Sequence, residues 1–168
     1  QSINGGTKVG HDIEIVNGRN LKVNKEYQEG QFSVTYEEMY KDGTHGDQFA
    51  ELNCENIGAL YQDILTTPSS ECYWDLDHAG RWNQNTMYVV AMAARDARKY
   101  MTPEQLNPNN GMSDTFIQKL KAMDNNNKLV NSTGYDEGTE INLKDGIVAR
   151  VWKVRSESVA AGHWEHHK

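Results

Sequence analysis

The densest group of chemistry-bearing side chains lies in residues 73–83, where acidic, imidazole and aromatic side chains follow one another closely. Asp75 and Asp77 are two positions apart, so an extended backbone would project both carboxylates to one face. Two carboxylates in this arrangement can hold a hard cation or divide acid and base duties. His78 would then carry a proton, and Arg81 would steady a phosphate or an oxyanion. These four catalytic candidates predict a metal-dependent hydrolase, such as a nuclease, with a divalent metal ion on Asp75 and Asp77.

Aromatic side chains in the same segment offer a second interpretation, a binding surface. Tyr73, Trp74 and Trp82 flank the acidic positions, and Asn83 adds an amide that can donate and accept hydrogen bonds. A tryptophan is seldom an idle surface residue, so Trp74 and Trp82 contact either a ligand or the core. If they belong to the core, the two aspartates are solvated residues beside a tight turn.

The string formed by Asp75, Asp77, Gly80 and Arg81 resembles a stretch of the metal-dependent ribotoxin-like RNases of mushrooms. The likeness covers seven of the 168 residues. It implies metal-binding and catalytic roles for the matching residues. The family has a histidine a few residues after this string, whereas this chain has amide side chains there and carries His78 inside the string.

The chain contains two cysteines, Cys54 and Cys72. The simplest interpretation pairs them across a short loop, which would stabilise the fold by about 3 kcal/mol in the chain-entropy model. The alternative is a thiol nucleophile with a histidine as its base, although neither cysteine has a recognisable protease or amidase context.

Several features favour a secreted or periplasmic protein. The chain starts at Gln1 rather than Met, as expected if a leader had been removed. Asn131-Ser132-Thr133 is an N-glycosylation acceptor on Asn131, which fits a eukaryotic secretory route. The even cysteine count agrees with an oxidising compartment.

The charge balance limits the kinds of partner. Seventeen Lys and Arg against 24 Asp and Glu give a net charge of −7. This balance argues against the broad basic surface that nucleic-acid or anionic-membrane binding requires, so nucleic acid is expected only as an enzyme substrate. No apolar run reaches the length of about 18 residues that indicates a membrane span. The expected partner is a protein or a glycan, bound by a monomer or a small oligomer.

In the N-terminal half, the pattern predicts a β-hairpin, a strand and a helix. Alternating apolar residues on both sides of Asn17-Gly18 indicate a hairpin over 11–23 with a bulged turn, and the pattern at 31–36 indicates a further strand. Apolar residues at three- and four-residue steps predict a helix over 48–65.

The C-terminal half is predicted to contain helices followed by strands. Helices are expected over 86–101, from Thr102-Pro103, and after Ser113 up to the three asparagines at 125–127. The run 147–154 is mostly apolar and predicts a central strand, paired with a strand at 141–143 through a turn at 145–146 that sets Ile141 opposite Ala149. A strand at 72–77 precedes the first of these helices, whose amino terminus near Asn85 would favour an anion.

This order of elements favours an α+β fold over a doubly wound parallel sheet. We expect one globular domain over residues 1–168, in which N-terminal and C-terminal strands build one antiparallel sheet and three or four helices occupy the middle of the chain. Residues 1–10 and 157–168 show no sustained periodicity and are expected to be flexible ends.

Three other polar groups are weaker candidates. His163, His166 and His167 would share a helix face and could chelate a transition metal. Arg95, Arg98 and Lys99 form a small basic patch, and residues 131–138 an acidic loop. Solvated surface is the simpler interpretation of all three.

No complete catalytic motif accompanies the aromatic and cysteine residues. The sequence therefore favours an extracellular binding protein, acting as an effector, a toxin-like protein or an inhibitor, with Tyr73, Trp74, Trp82 and Asn83 in its contact surface. The metal-dependent hydrolase is the alternative.

Overall fold

The computed structural model describes residues 7–9, 14–17, 48–51, 59–61, 64–80, 83–100, 102–106, 114–158 and 164–168. Within them the strands are β1 (Thr7–Val9), β2 (Glu14–Asn17), β3 (Gln48–Glu51), β4 (Ala59–Tyr61), β5 (Leu76–His78), β6 (Asn85–Met92), β7 (Thr139–Asn142), β8 (Val148–Ser156) and β9 (Glu165–His167). The helices are α1 (Ala94–Tyr100), α2 (Pro103–Leu106) and α3 (Phe116–Asn125), and a 3-10 turn covers Lys144–Gly146.

Two antiparallel strand pairs form in the N-terminal part. β1 pairs with β4, and β2 pairs with β3. The helix predicted over 48–65 is therefore wrong for 48–51 and 59–61, which are extended. The predicted strand at 31–36 and the second arm of the predicted hairpin lie outside the described residues.

A three-stranded antiparallel sheet in the order β6-β8-β7 forms the centre of the C-terminal part. β8 is the middle strand, as its apolar composition predicts, and Ile141 lies opposite Ala149 in the predicted register. The helix predicted over 86–101 is wrong for its first half: Asn85–Met92 is a strand along β8, and α1 begins only at Ala94. Tyr88, Val89 and Val90 suit an extended backbone better than a helix, because aromatic and β-branched side chains pack well on a pleated surface.

Helix α3 covers one face of this sheet. Phe116, Ile117 and Leu120 are buried with Ile141 and Val151, confirming the predicted apolar side of the helix. Thr115, rather than the predicted Ser113, caps the helix, with Gln118 completing a reciprocal capping box. The helix ends at Asn125, within the predicted asparagine run.

Polar contacts also tie α3 to the sheet. The Lys153 ammonium lies 2.5 Å from a carboxylate oxygen of Asp124, and Tyr88 donates a hydrogen bond to the other oxygen at 3.0 Å. Burial and the neighbouring carboxylate both raise the pKa of Tyr88. The Tyr88 hydroxyl therefore stays protonated and remains a donor.

Helices and antiparallel sheets together define the α+β class. Among the described strands, N-terminal and C-terminal strands belong to separate sheets. The N-terminal strands predicted at 19–23 and 31–36 lie outside the described residues, so the shared sheet stays a prediction. Both ends also contribute paired strands, β1 at 7–9 and β9 at 165–167. None of the helices described above has the length and apolar character needed to cross a membrane.

Candidate functional site

The short antiparallel ribbon of β5 and β9 lies against the end of β8 and organises the residues singled out by the sequence. Asp77 is paired with His166, and His78 with Glu165. Successive side chains of a strand point to opposite sides, so Asp77 and His78 face different environments. Asp77 is exposed, whereas His78 is largely buried and reaches β8.

His78, Ser156 and His167 form a group that we call the polar junction. The Ser156 hydroxyl lies 2.8 Å from Nδ1 of His78 and 2.7 Å from Nε2 of His167. The hydroxyl can donate to one imidazole and accept from the other, so the three side chains satisfy one another. Burial, followed by the nearby His167, lowers the pKa of His78 to about 4. The imidazole of His78 is therefore neutral at pH 7.

A serine beside an imidazole is also the pair used in nucleophilic catalysis, where the histidine removes the hydroxyl proton. Such a nucleophile has to reach a substrate, and the Ser156 side chain lies inside the protein with 1% of its surface exposed. The Ser156 hydroxyl already bridges two imidazoles from the two strands of the ribbon. We therefore assign a structural role to the polar junction: it attaches β5 and β9 to β8.

The predicted hydrolase residues are not brought together. His166 Nδ1 lies 2.9 Å from a carboxylate oxygen of Asp77, while Asp75 is exposed before β5 begins. His78 is directed to Ser156, away from the aspartates, and Arg81 lies outside the described residues. Within the part of the chain that the structure describes, no group of three or more His, Cys, Asp or Glu side chains could hold a metal ion.

Two further predictions are corrected by strand geometry. Asn85 begins β6 rather than a helix, so no helix amino terminus is present there to favour an anion. His166 and His167 lie in strand β9, where they alternate: His166 is exposed beside Asp77, and His167 is buried on Ser156. They do not share the helix face proposed for a transition metal, and His163 lies outside the described residues.

Two pairs of aromatic side chains follow from neighbouring residues just before β5, and we call the four side chains together the aromatic patch. It consists of Tyr73, Trp74, Tyr135 and Trp152. The rings of Tyr73 and Tyr135 meet edge to face, with centroids 5.0 Å apart, and the rings of Trp74 and Trp152 do the same at 5.7 Å. The tyrosines are the outer pair, 67% and 56% exposed, whereas the tryptophans are half-buried.

The sheet and the loop before β7 fix the inner tryptophan pair. Trp152 belongs to the central strand, and its indole N–H donates to the backbone carbonyl of Asp136 at 2.9 Å. Gly138 has φ +64°, and a Cβ on this residue would lie 2.7 Å from the indole of Trp152. The absence of a side chain at Gly138 allows the loop to approach the indole this closely.

The Asp136 carboxylate holds the same loop in shape. One oxygen accepts a hydrogen bond from the backbone N–H of Gly138 at 3.1 Å, and the other lies 3.2 Å from the Ser132 hydroxyl. Ser132 is buried and donates to the carbonyl of Lys168 at 2.8 Å. Tyr135 is therefore carried by a loop with several internal attachments.

The sequence predicted two members of the aromatic patch, Tyr73 and Trp74. Of the other predicted contact residues, Asn83 is exposed and Trp82 lies outside the described residues. The sequence offered Tyr135 only as part of the weaker loop candidate at 131–138, and Trp152 was not among the candidates. Tyr135 and Trp152 are 62 and 79 positions beyond Tyr73 in the chain. Since β8 is mostly apolar, Trp152 reads as one more core residue.

The remaining candidates are the two cysteines, the glycosylation acceptor and the basic patch. Cys72 is exposed and forms no disulfide with a described residue, while Cys54 lies outside them, so their pairing stays a prediction. Asn131 is exposed, and its side-chain oxygen accepts a hydrogen bond from the Arg155 backbone at 2.9 Å. In the predicted basic patch, Arg95 lies 3.8 Å from the Asp96 carboxylate, which offsets part of the positive charge.

Comparison with known proteins gives no further assignment. No model of a protein family matches the chain, and neither a curated protein nor a solved structure matches it.

Proposed function

We propose that this chain is an extracellular binding protein, acting as an effector, a toxin-like protein or an inhibitor, and that the aromatic patch is its contact surface. The observation that carries the proposal is the pair of exposed tyrosine rings, Tyr73 and Tyr135, in contact with each other. Trp74, the residue next to Tyr73, forms a second, half-buried ring pair with Trp152. The partner is a protein.

The arrangement has the anatomy of a binding hot spot. Tyr and Trp are enriched where interfaces concentrate their binding energy, because a large ring buries much area and loses little conformational freedom. Trp74 and Trp152 are held by packing and by the bond to Asp136, so the base of the patch is organised before a partner arrives. Preorganisation lowers the entropic cost of association.

Binding explains the described residues better than hydrolysis does. The polar junction contains a serine and two histidines, but Ser156 is out of reach of a substrate. The aromatic patch is accessible and contains two phenol hydroxyls, of which the one on Tyr73 donates to Glu71 at 2.5 Å. The accessible chemistry supports contact with a partner.

The extracellular location is part of the proposal and rests on sequence features. Cys72 is exposed, so a disulfide to Cys54 would form near the surface, where an oxidising compartment can act on it. Asn131 is also exposed and would present a glycan to solvent. Mass spectrometry of protein isolated from its source, under non-reducing conditions, tests both modifications.

A peptide array tests the contact surface. The labelled protein is applied to an array of unrelated peptide sequences, and the bound set is compared with that of Tyr73→Ala/Tyr135→Ala. We expect the double variant to lose most of the signal. Leu65→Ala is the matched control, because Leu65 is a fully exposed apolar residue outside the patch, and it should bind as the wild type does. An unchanged pattern in the double variant would refute the proposal, and binding confined to a parallel glycan array would replace the protein partner with a carbohydrate.

A further inference from the structure

The aromatic patch contains a cation of the chain itself. The Lys168 ammonium lies over the ring of Tyr135, 5.0 Å from its centroid. A cation above an aromatic face is attracted by the negative potential of the ring, by about 0.5–1 kcal/mol at exposed sites. This contact shows that the Tyr135 ring attracts a positively charged group, and the side chain is still 56% exposed.

Acidic side chains flank both tyrosines along the chain. Glu71 and Asp75 lie two positions to either side of Tyr73, and Asp136 and Glu137 follow Tyr135 directly; all four are exposed. A carboxylate oxygen of Glu71 accepts a hydrogen bond from the hydroxyl of Tyr73, which places a negative charge at the edge of that ring. These carboxylates make the electrostatic potential around the rings more negative.

Few described cations oppose this charge. Lys168 lies on Tyr135, and Arg150 donates to the carbonyl of Glu137 at 3.1 Å while its other terminal nitrogen lies 3.6 Å from the Glu140 carboxylate. The chain as a whole carries a net charge of −7. Exposed ring faces together with an excess of carboxylates suit a positively charged partner.

We propose that the aromatic patch binds a peptide segment rich in arginine and lysine on its partner protein, with cationic side chains over the two tyrosine rings and the carboxylates around them. This inference rests on the proposed function and names the class of its partner. Arginine fits better than lysine, because its planar guanidinium stacks on a ring and can also bond a carboxylate through two N–H groups.

Titration with three synthetic peptides tests the inference. They share a glycine-serine backbone and differ only at alternate positions, which hold arginine, lysine or glutamine. We expect the arginine peptide to bind at least about tenfold more tightly than the glutamine peptide, with lysine between them, and all binding to weaken as salt screens the charges. Equal or tighter binding of the glutamine peptide, or no binding of the arginine peptide, would overturn the inference.

Charge variants separate the patch from the overall acidity of the chain. Glu71→Gln/Asp75→Asn should weaken the arginine peptide several-fold, whereas Glu104→Gln, on α2, should leave it unchanged. Lys168→Gln should tighten binding, because it removes a competing cation from the Tyr135 ring. Equal losses in the Glu71/Asp75 and Glu104 variants, or weaker binding of Lys168→Gln, would contradict the inference.

The peptide titration and the array test different claims, so a negative result in one can be distinguished from a negative result in the other. If array binding depends on the two tyrosines but selects neutral or acidic peptides, the proposed function stands and the cationic partner is wrong. If array binding does not depend on the tyrosines, the contact surface itself is wrong.

Discussion

The polar junction and the aromatic patch lie on neighbouring parts of the same ribbon and sheet, yet they have opposite relations to solvent. The junction gathers hydroxyl and imidazole groups and buries them, with Ser156 1% exposed between two histidines. The patch gathers apolar rings and exposes the outer two. β8 contributes to both, through Ser156 and Trp152, which are four positions apart and therefore on the same side of the strand.

The contrast teaches that residue type alone does not locate the functional surface. Serine and histidine suggest catalysis. Here the Ser156 hydroxyl is already hydrogen-bonded to His78 and His167, so the polar junction attaches β5 and β9 to β8. Tyrosine and tryptophan suggest a core, but a core would cover them. Accessibility, together with what already occupies the polar atoms, distinguishes the two regions.

The largest expected effect concerns acid and the polar junction. The pKa of His78 is about 4 in the folded protein, below the usual 6.5. Between these values the unfolded chain binds more protons than the folded one, so stability is fully present above about pH 6.5 and is lost as the pH falls toward 4, by up to about 3 kcal/mol. We expect urea unfolding at about pH 7 and pH 4.5 to show this loss, and His78→Gln to reduce it.

His166→Gln is the matched control, because His166 is an exposed histidine on the same ribbon. We expect His78→Gln to reduce the loss on acidification more than His166→Gln does. If His78→Gln and the wild type lose equal stability on acidification, the burial assigned to His78 is wrong.

Removal of the Ser156 hydroxyl should have the next largest effect. Ser156→Ala leaves the two buried ring nitrogens without their common partner, and we expect a loss of about 2 kcal/mol in the free energy of unfolding. Ser70→Ala serves as the control, since Ser70 is exposed and its hydroxyl donates to the carbonyl of Thr67. A loss below about 0.5 kcal/mol in Ser156→Ala, the range of ordinary surface substitutions, would indicate that water can replace the hydroxyl.

A smaller effect is expected at the base of the aromatic patch. Gly138→Ala places a side chain at a left-handed backbone position and against the Trp152 indole, and should cost about 1.5 kcal/mol. Gly134→Ala is the control, because a Cβ there meets no atom within 4 Å. Equal stability of both variants would show that the loop does not need its close approach to Trp152.

The smallest effects concern the predicted metal ligands. Asp77→Asn removes a partly exposed contact with His166 and should cost less than about 1 kcal/mol. We expect EDTA, Ca²⁺, Mg²⁺, Mn²⁺ and Zn²⁺ to leave the melting temperature unchanged. A rise of several degrees that disappears in Asp75→Ala/Asp77→Ala would reinstate the metal-dependent hydrolase.

Local chemistry made part of this structure predictable. The apolar side of α3, the central position of β8 and the pairing of Ile141 with Ala149 all follow from contacts between neighbouring residues or through short turns. The segment 85–92 was predicted incorrectly because its apolar spacing also fits a helix. Its partner is β8, which is 71 positions away where Asn85 lies opposite Ser156 and 57 positions away where Met92 lies opposite Ala149.

The candidate site divides in the same way. Tyr73 and Trp74 were predicted because they are adjacent in a conspicuous segment, whereas Tyr135 and Trp152 join them only through tertiary contacts. His78 was predicted to serve as a proton carrier beside the aspartates. Strand alternation turns His78 away from Asp77, and the approach of β8 and β9 gives it Ser156 as a partner. That approach is not visible in the order of the residues.

The most direct test of the account compares Tyr73→Ala/Tyr135→Ala with Ser156→Ala in two assays, the free energy of unfolding and binding to the peptide array, with binding measured where both are folded. The account predicts that the tyrosine variant keeps its stability within about 0.5 kcal/mol and loses binding. It predicts that Ser156→Ala loses about 2 kcal/mol and keeps binding. The opposite pattern, with stability lost in the tyrosine variant and binding lost in the serine variant, would contradict the assignment of the two regions.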